Sequence, residues 1–208
     1  MTPREEVGYG LDALVIFRSL QKDPVIFALM QFCHTDTNNT PAQIRFYSAM
    51  TAALYARSDD LTSYVTQIVL EHENIYVQRA GVGQPISSQM EACLQTELTL
   101  LGKIAMLTPA QVQAEMQTTI PLPAWQTHRV DLKALYAQRV AEIERHGYGI
   151  YARYHMFTVK PGGDLMPVRY PDTISLTGLV GYERERAVVV ENTKALLAGK
   201  YASNVLLA

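Results

Sequence analysis

The sequence predicts a mainly α protein of the α+β class: a long helical N-terminal region, then a β-hairpin, then a further helix and strand. Three observations lead there. From about residue 8 to residue 117, helix-start signals alternate with apolar residues at three- and four-residue spacing. Around Pro161-Gly162-Gly163-Asp164 the composition shifts to Tyr, Val, Ile and Phe on both sides of a tight turn. Helical patterning resumes only after Leu179 and leads into Val205-Leu206-Leu207, apolar on both faces as a central parallel strand is.

The elements follow in order. Tyr9–Leu20 and Asp23–Phe32 are short apolar-rich helices, the second with Asp23 as N-cap and Pro24 at N1. The polar run 35–41 is a turn, and Thr40-Pro41 opens the next helix, with Ile44, Tyr47, Ala52 and Tyr55 near helical spacing. Asp60 caps one helix running from Leu61 to Gly81, where glycine stops it. Ser87 or Ser88 opens a long helix whose apolar stripe is Met90, Leu94, Leu98, Leu101 and Ile104. A short helix follows Thr108. Two prolines in three positions, Pro121 and Pro123, favour extended chain, so a linker is expected at about 118–127. Asp131 to about His146 is a helix with Leu135, Val140 and Ile143 inward, ended by Gly147. Tyr148–Asp172 is a strand, the Pro-Gly-Gly turn and a returning strand. The expected organisation is 1–117 helical, 118–127 linker, 128–178 helix plus hairpin, and 179–208 a last helix and strand.

Composition narrows the function. With 208 residues the chain is long enough for a sizeable core, and 48% hydrophobic residues are ample for a folded one. A net charge of −2 gives no electrostatic footprint for nucleic acid or an anionic membrane, and no apolar run approaches the length of a membrane span. Cys33 and Cys93 lack ligand-like spacing and are expected to be reduced core residues, which points to a cytoplasmic location.

Catalytic motifs fail one by one. A P-loop needs backbone N–H groups to cradle phosphate and a Lys to neutralise it; Gly102-Lys103 is followed by Ile104, and Gly199-Lys200 by Tyr201. Gly81-Val82-Gly83 lacks the third glycine of a dinucleotide fingerprint. Glu71-His72-Glu73 has suitable donors for zinc or acid–base work, but no second His follows four residues on, and a solvated helix face is the expected reading. His34, His128, His146 and His155 are scattered, and no GxSxG marks a hydrolase nucleophile. No metal site and no activity are expected for this chain.

One stretch carries more. In Pro171–Leu207, Leu179-Val180-Gly181-Tyr182 is an apolar elbow and a helix starts near Glu183, with Glu183 and Glu185 in its first turn. Val190 and Leu197 share one face, with Val189 and Leu196 beside it, and Gly199 takes the C′ position. Elbow, helix, loop and buried strand in this order resemble the entrance to a AAA+ ATPase module. The stretch is similar to a family of uncharacterised bacterial AAA-type ATPases with a long helical N-terminal region. The matching positions are Pro171-Asp172, Ile174, Leu176, Leu179 to Glu183, Asn192-Thr193, Gly199 and Asn204 to Leu207. Gly178 departs from the pattern, which often has an acidic residue there.

The resemblance implies a P-loop immediately beyond Ala208, ATP and Mg bound by the longer parent protein, and neither held tightly by this chain. It implies that Leu179, Val180 and Gly181 lie against an adenine ring, with Tyr182 stacking beside them. It makes 1–117 an accessory region that binds a protein partner or self-associates. The alternative is a self-contained helical interaction module with no nucleotide function. On either reading Val205–Leu207 should not form the middle of a parallel sheet within this chain.

Overall fold

The first helix begins earlier than the periodicity suggests. In a computed structural model of the chain, α1 (Pro3–Asp12) is opened by a capping box. The Thr2 hydroxyl accepts from the Glu5 N–H at 3.1 Å, and the Glu5 carboxylate accepts from the Thr2 N–H at 2.7 Å. The structure describes residues 2–116, 118–154, 156–168, 170–173, 175–178 and 180–205. The chain divides into two units, Met1–Pro167 and Val168–Ala208. Leu14 to Phe17 follow α1 not as helix but as an irregular stretch with a 3-10 turn at Arg18–Lys22.

Local capping then starts most helices. Asp23 accepts from the Val25 and Ile26 N–H groups and opens α2 (Pro24–His34). Asn39, one residue before the expected cap, opens α3 (Thr40–Tyr55) by accepting from the Ala42 N–H. The inward face of α3 is Tyr47, Met50, Thr51 and Leu54; of the residues at near-helical spacing, Ala52 and Tyr55 are exposed. Asp60 caps α4 (Leu61–Leu70), and Asn74 caps α5 (Ile75–Gly81). The single helix expected from Leu61 to Gly81 is thus two, because Asn74 holds the Tyr76 and Val77 N–H groups in place of a helical residue.

Ser87 opens α6 (Ser88–Ala105), which is the axis of the first unit. Leu94, Leu98, Leu101 and Ile104 are buried as its stripe predicts, while Met90 lies at its edge. Cutting Leu98 or Leu101 to Ala would cost about 2–5 kcal/mol, the usual range for a buried leucine. Thr108 makes a second capping box for α7 (Pro109–Gln113).

The proline-containing stretch is extended, and it is docked. Tyr47 donates its hydroxyl to the Pro123 carbonyl, Tyr55 to the Ala124 carbonyl, and Trp125 its indole N–H to the Leu107 carbonyl at 2.8 Å. Trp125 is buried, its ring 5.2 Å from that of Tyr47. Gln126 exchanges backbone hydrogen bonds with Asp59 and Leu61.

The helix expected from Asp131 is also split, into α8 (Leu132–Ala141) and α9 (Ile143–His146), which Gly147 ends with φ +66°. Leu132 and Tyr136 point inward on α8; Leu135, expected there, is 37% exposed. Residues Gly149–Arg153, expected as strand, form α10. The hairpin itself is present: β1 (Phe157–Val159) pairs antiparallel with β2 (Leu165–Pro167), Val159 opposite Leu165, across the Pro-Gly-Gly turn. The protein is mainly α with this small sheet. Among the described residues no helix is long and apolar enough to cross a membrane.

The second unit contains a 3-10 turn (Leu176–Gly178) and α11 (Glu183–Leu197). Lys200 donates its N–H to the Ala195 carbonyl and Gly199 to the Leu196 carbonyl, a Schellman closure with Gly199 at φ +65°.

Candidate functional site

The elbow singled out by sequence lies at the start of α11. Gly181 has φ +83° and Tyr182 φ +57°, two successive left-handed residues that turn the chain sharply into the helix. Tyr182 is the N-cap and, having no short polar side chain, offers no capping bond. A left-handed non-glycine residue costs about 1–2 kcal/mol. Val180 is 96% exposed and Tyr182 78%, so both present apolar surface to solvent. A side chain at Gly181 would meet nothing within 4 Å, which leaves its backbone open to a close approach. Leu179 and Ile174 lie outside the described residues, as do Leu206 and Leu207.

Two tethers fix the elbow and the end of its helix. The Arg186 guanidinium donates to the Leu176 carbonyl at 2.7 Å, tying the first turn of α11 to the preceding 3-10 turn. Asn192 clasps the returning chain with both amide atoms: its Nδ2 donates to the Ser203 carbonyl at 2.8 Å, and its Oδ1 accepts from the Ser203 N–H at 2.9 Å. Val188, Leu196 and Leu197 are exposed, Val189 and Val190 half-buried, and no described residue of the helix is buried. Val205 is 47% exposed.

The motif expected to be a solvated helix face behaves otherwise. Helix α4 ends at Leu70, and His72 turns inward, its ring 5.3 Å from that of Phe17. His72 Nε2 is 2.6 Å from the Ser19 hydroxyl, and the Asn74 amide lies 3.3 Å from Nδ1. A nucleophile–base dyad is suggested, yet the tautomer excludes it. Asn74 Oδ1 is already the acceptor for two backbone N–H groups, so its NH2 must face His72 Nδ1. Nδ1 then carries the lone pair, Nε2 carries the proton, and Ser19 accepts it rather than being activated. Burial holds His72 below its usual pKa, with Glu73 and Glu97 pulling the other way. Ser19 had no signal in the sequence, since its partner is far along the chain.

The remaining groups are structural. His34 pairs with Asp12 at 2.9 Å and His128 with Asp60 at 3.0 Å. Cys33 and Cys93 are free and half-buried, and burial pushes the Cys33 thiol up to about 11. Among the described residues no three His, Cys, Asp or Glu side chains gather as a metal would need.

Residues 152–208 match a family described as "Protein of unknown function (DUF815)", so the hairpin, the elbow and α11 are similar to an uncharacterised family. No curated protein and no solved structure matches the chain.

Proposed function

We propose that the chain is a helical accessory region joined to the entrance of a AAA+-like ATP-binding module. The observation that carries this reading is α11: a helix closed by a Schellman motif, entered through a left-handed elbow, with Val188, Leu196 and Leu197 exposed and no described residue fully buried. Such a face is made to pack on further structure. The family match over the same segment supports treating it as a shared unit. ATP and Mg belong to the longer parent protein. Val180 and Gly181 suit the adenine face, because an exposed apolar side chain and an open backbone meet a base there; the resemblance implies the same role for Leu179, with Tyr182 stacking. This sequence has no GxxxxGK[ST] loop, and base contacts alone give little affinity, so the isolated chain is expected neither to hold ATP tightly nor to hydrolyse it. The first unit, with its own core, is the part that meets a protein partner or a second copy.

The test is to read the coding sequence past Ala208 and then to measure ATP affinity in the full-length protein with Val180→Asp. The expected result is a glycine-rich loop ending in Gly-Lys-Ser or Gly-Lys-Thr. The variant should bind ATP about tenfold more weakly, roughly 1.4 kcal/mol. A stop codon after Ala208, or unchanged affinity in the variant, overturns the reading.

A further inference from the structure

Asn74 has two duties that agree only while His72 is neutral. Its side chain, 5% exposed, caps α5: Oδ1 accepts from the Tyr76 and Val77 N–H groups, each at 3.0 Å. Its Nδ2 faces His72 Nδ1 at 3.3 Å and also reaches the His72 carbonyl at 3.4 Å and the Tyr136 hydroxyl at 3.2 Å. The cap fixes which way the amide points, so Nδ1 is held as an acceptor while Nε2 gives its proton to Ser19. A second proton on the ring goes to Nδ1 and meets the Asn74 NH2, donor against donor.

The other groups round the ring are engaged. Ser19, on the 3-10 turn, already accepts from Nε2, and Phe17 offers only its ring, 5.3 Å away. Glu97 of α6 spends its carboxylate on the Val15, Ile16 and Phe17 N–H groups. Tyr136 of α8 keeps its proton, burial pushing the hydroxyl up to about 12. Glu73 is exposed and accepts from Gln78 at 3.2 Å. Burial opposes a charge on His72, while the fields of Glu73 and Glu97 favour it. That leaves Asn74 Oδ1 as the acceptor for Nδ1–H. A half-turn of the amide brings it round and strips the cap from Tyr76 and Val77.

We propose that His72 and Asn74 form an acid-operated latch: when the imidazole takes a second proton, Asn74 turns its oxygen to Nδ1–H, α5 loses its N-cap, and the chain seated on α5 loosens with it. Helix α5 has only seven residues, too few to hold without a cap. Helix α9 packs on it. At its end, a Cβ on Gly81 would stand 2.9 Å from the Tyr148 ring. Tyr148 meets Tyr151 edge to face at 6.5 Å, and Tyr151 lies 5.3 Å from Phe157 in β1. The latch thus acts on the seat of the hairpin, the segment where the family match begins. Protonation of a single histidine is sufficient to drive a switch of this kind.

The test is amide exchange on the 208-residue chain at pH 7.5 and 5.5, with and without low urea, each rate taken relative to a free peptide at the same pH. A free imidazole titrates at about 6.5, so an opening that satisfies the charged ring gains about tenfold one unit below that. Protection of the Tyr76 and Val77 N–H groups should fall about tenfold. It should be insensitive to low urea, because a local opening exposes little surface. The imidazole nitrogen shifts at pH 7.5 should be those of the Nε2–H tautomer. Asn74→Asp keeps one oxygen on the Tyr76 and Val77 N–H groups and offers the other to Nδ1–H. It should raise the proton affinity of His72 at least about tenfold and hold the change at Tyr76 and Val77 under about twofold. An Nδ1–H tautomer at pH 7.5, protection unchanged by pH, urea-sensitive exchange at Tyr76 and Val77, or an acid response that survives in Asn74→Asp overturns the proposal.

Discussion

Replacing Glu97 by Gln should loosen the irregular stretch that follows α1. The Glu97 carboxylate, 5% exposed, accepts from three consecutive backbone N–H groups: Oε1 from Val15 at 2.7 Å and Ile16 at 3.1 Å, Oε2 from Phe17 at 2.9 Å. Cys93 adds its thiol to Oε1 at 3.2 Å. This one side chain stands in for the secondary structure that residues 15–17 lack, and it holds Ile16 and Phe17 in the core. Glutamine keeps the shape, and its oxygen can replace Oε1. Its NH2 then faces the Phe17 N–H, donor against donor. The loss of a hydrogen bond to a charged acceptor is about 1.5–3 kcal/mol, and each of the other two weakens toward the neutral value by about 1 kcal/mol. Relief from burying a charge offsets part of this. A net loss of about 2–3 kcal/mol lowers the melting temperature by about 5–10 °C in a domain of this size. Thermal melting by circular dichroism measures the total, and amide exchange at Val15, Ile16 and Phe17 localises it. A drop under about 2 °C, or unchanged exchange at those amides, would refute the reasoning.

Two further outcomes can be checked on the same material. Asn74→Ala removes the cap of α5 together with the amide contacts to His72 and the Tyr136 hydroxyl, and should cost about 2 kcal/mol in urea unfolding, the upper end for a cap. His72 is held below its usual pKa mainly by burial, so the unfolded chain takes up a proton first. Its contribution to stability is therefore complete above the unfolded value, about 6.5, and falls away as pH drops below it. His72→Gln should flatten that part of the stability profile, and an unchanged slope would show that His72 is not its source.

What could be read from the sequence was what is decided within four or five residues. Asp23-Pro24, Asp60, Ser87 and Asp131 announce helix starts because a cap bonds to N–H groups two or three residues on. The hairpin was legible for the same reason, its turn being local. Periodicity misled where a polar residue overrides it: the apolar residues before and after Glu71–Asn74 read as one helix, and Asn74 was the signal that a new helix begins. Near-helical spacing on α3 did not separate inward from outward residues, because an aromatic residue can reach an outward contact, as Tyr55 does to Ala124. Hidden altogether were the partnerships that span the chain. Glu97 serves residues about eighty positions earlier, and Trp125 is positioned by Leu107. At the elbow the glycine was readable, but Tyr182 in a left-handed conformation was not, since nothing in a tyrosine favours it.

Helix α1 has a mechanical character that follows from two of its residues. A Cβ at Gly8 would stand 2.9 Å from the Cβ of Cys33 in α2, and one at Gly10 would stand 2.8 Å from the Leu100 side chain in α6. The leucine tip can swing aside; the cysteine Cβ, fixed to its helix, cannot. The backbone of α1 is thus seated like a shim against two neighbours at once. A pull on the first turn loads α2 and α6 together instead of peeling off a loose end, and the rupture force should be that of the bundle. A methyl group at Gly8 would open that joint and leave an N-terminal helix that detaches under far smaller tension.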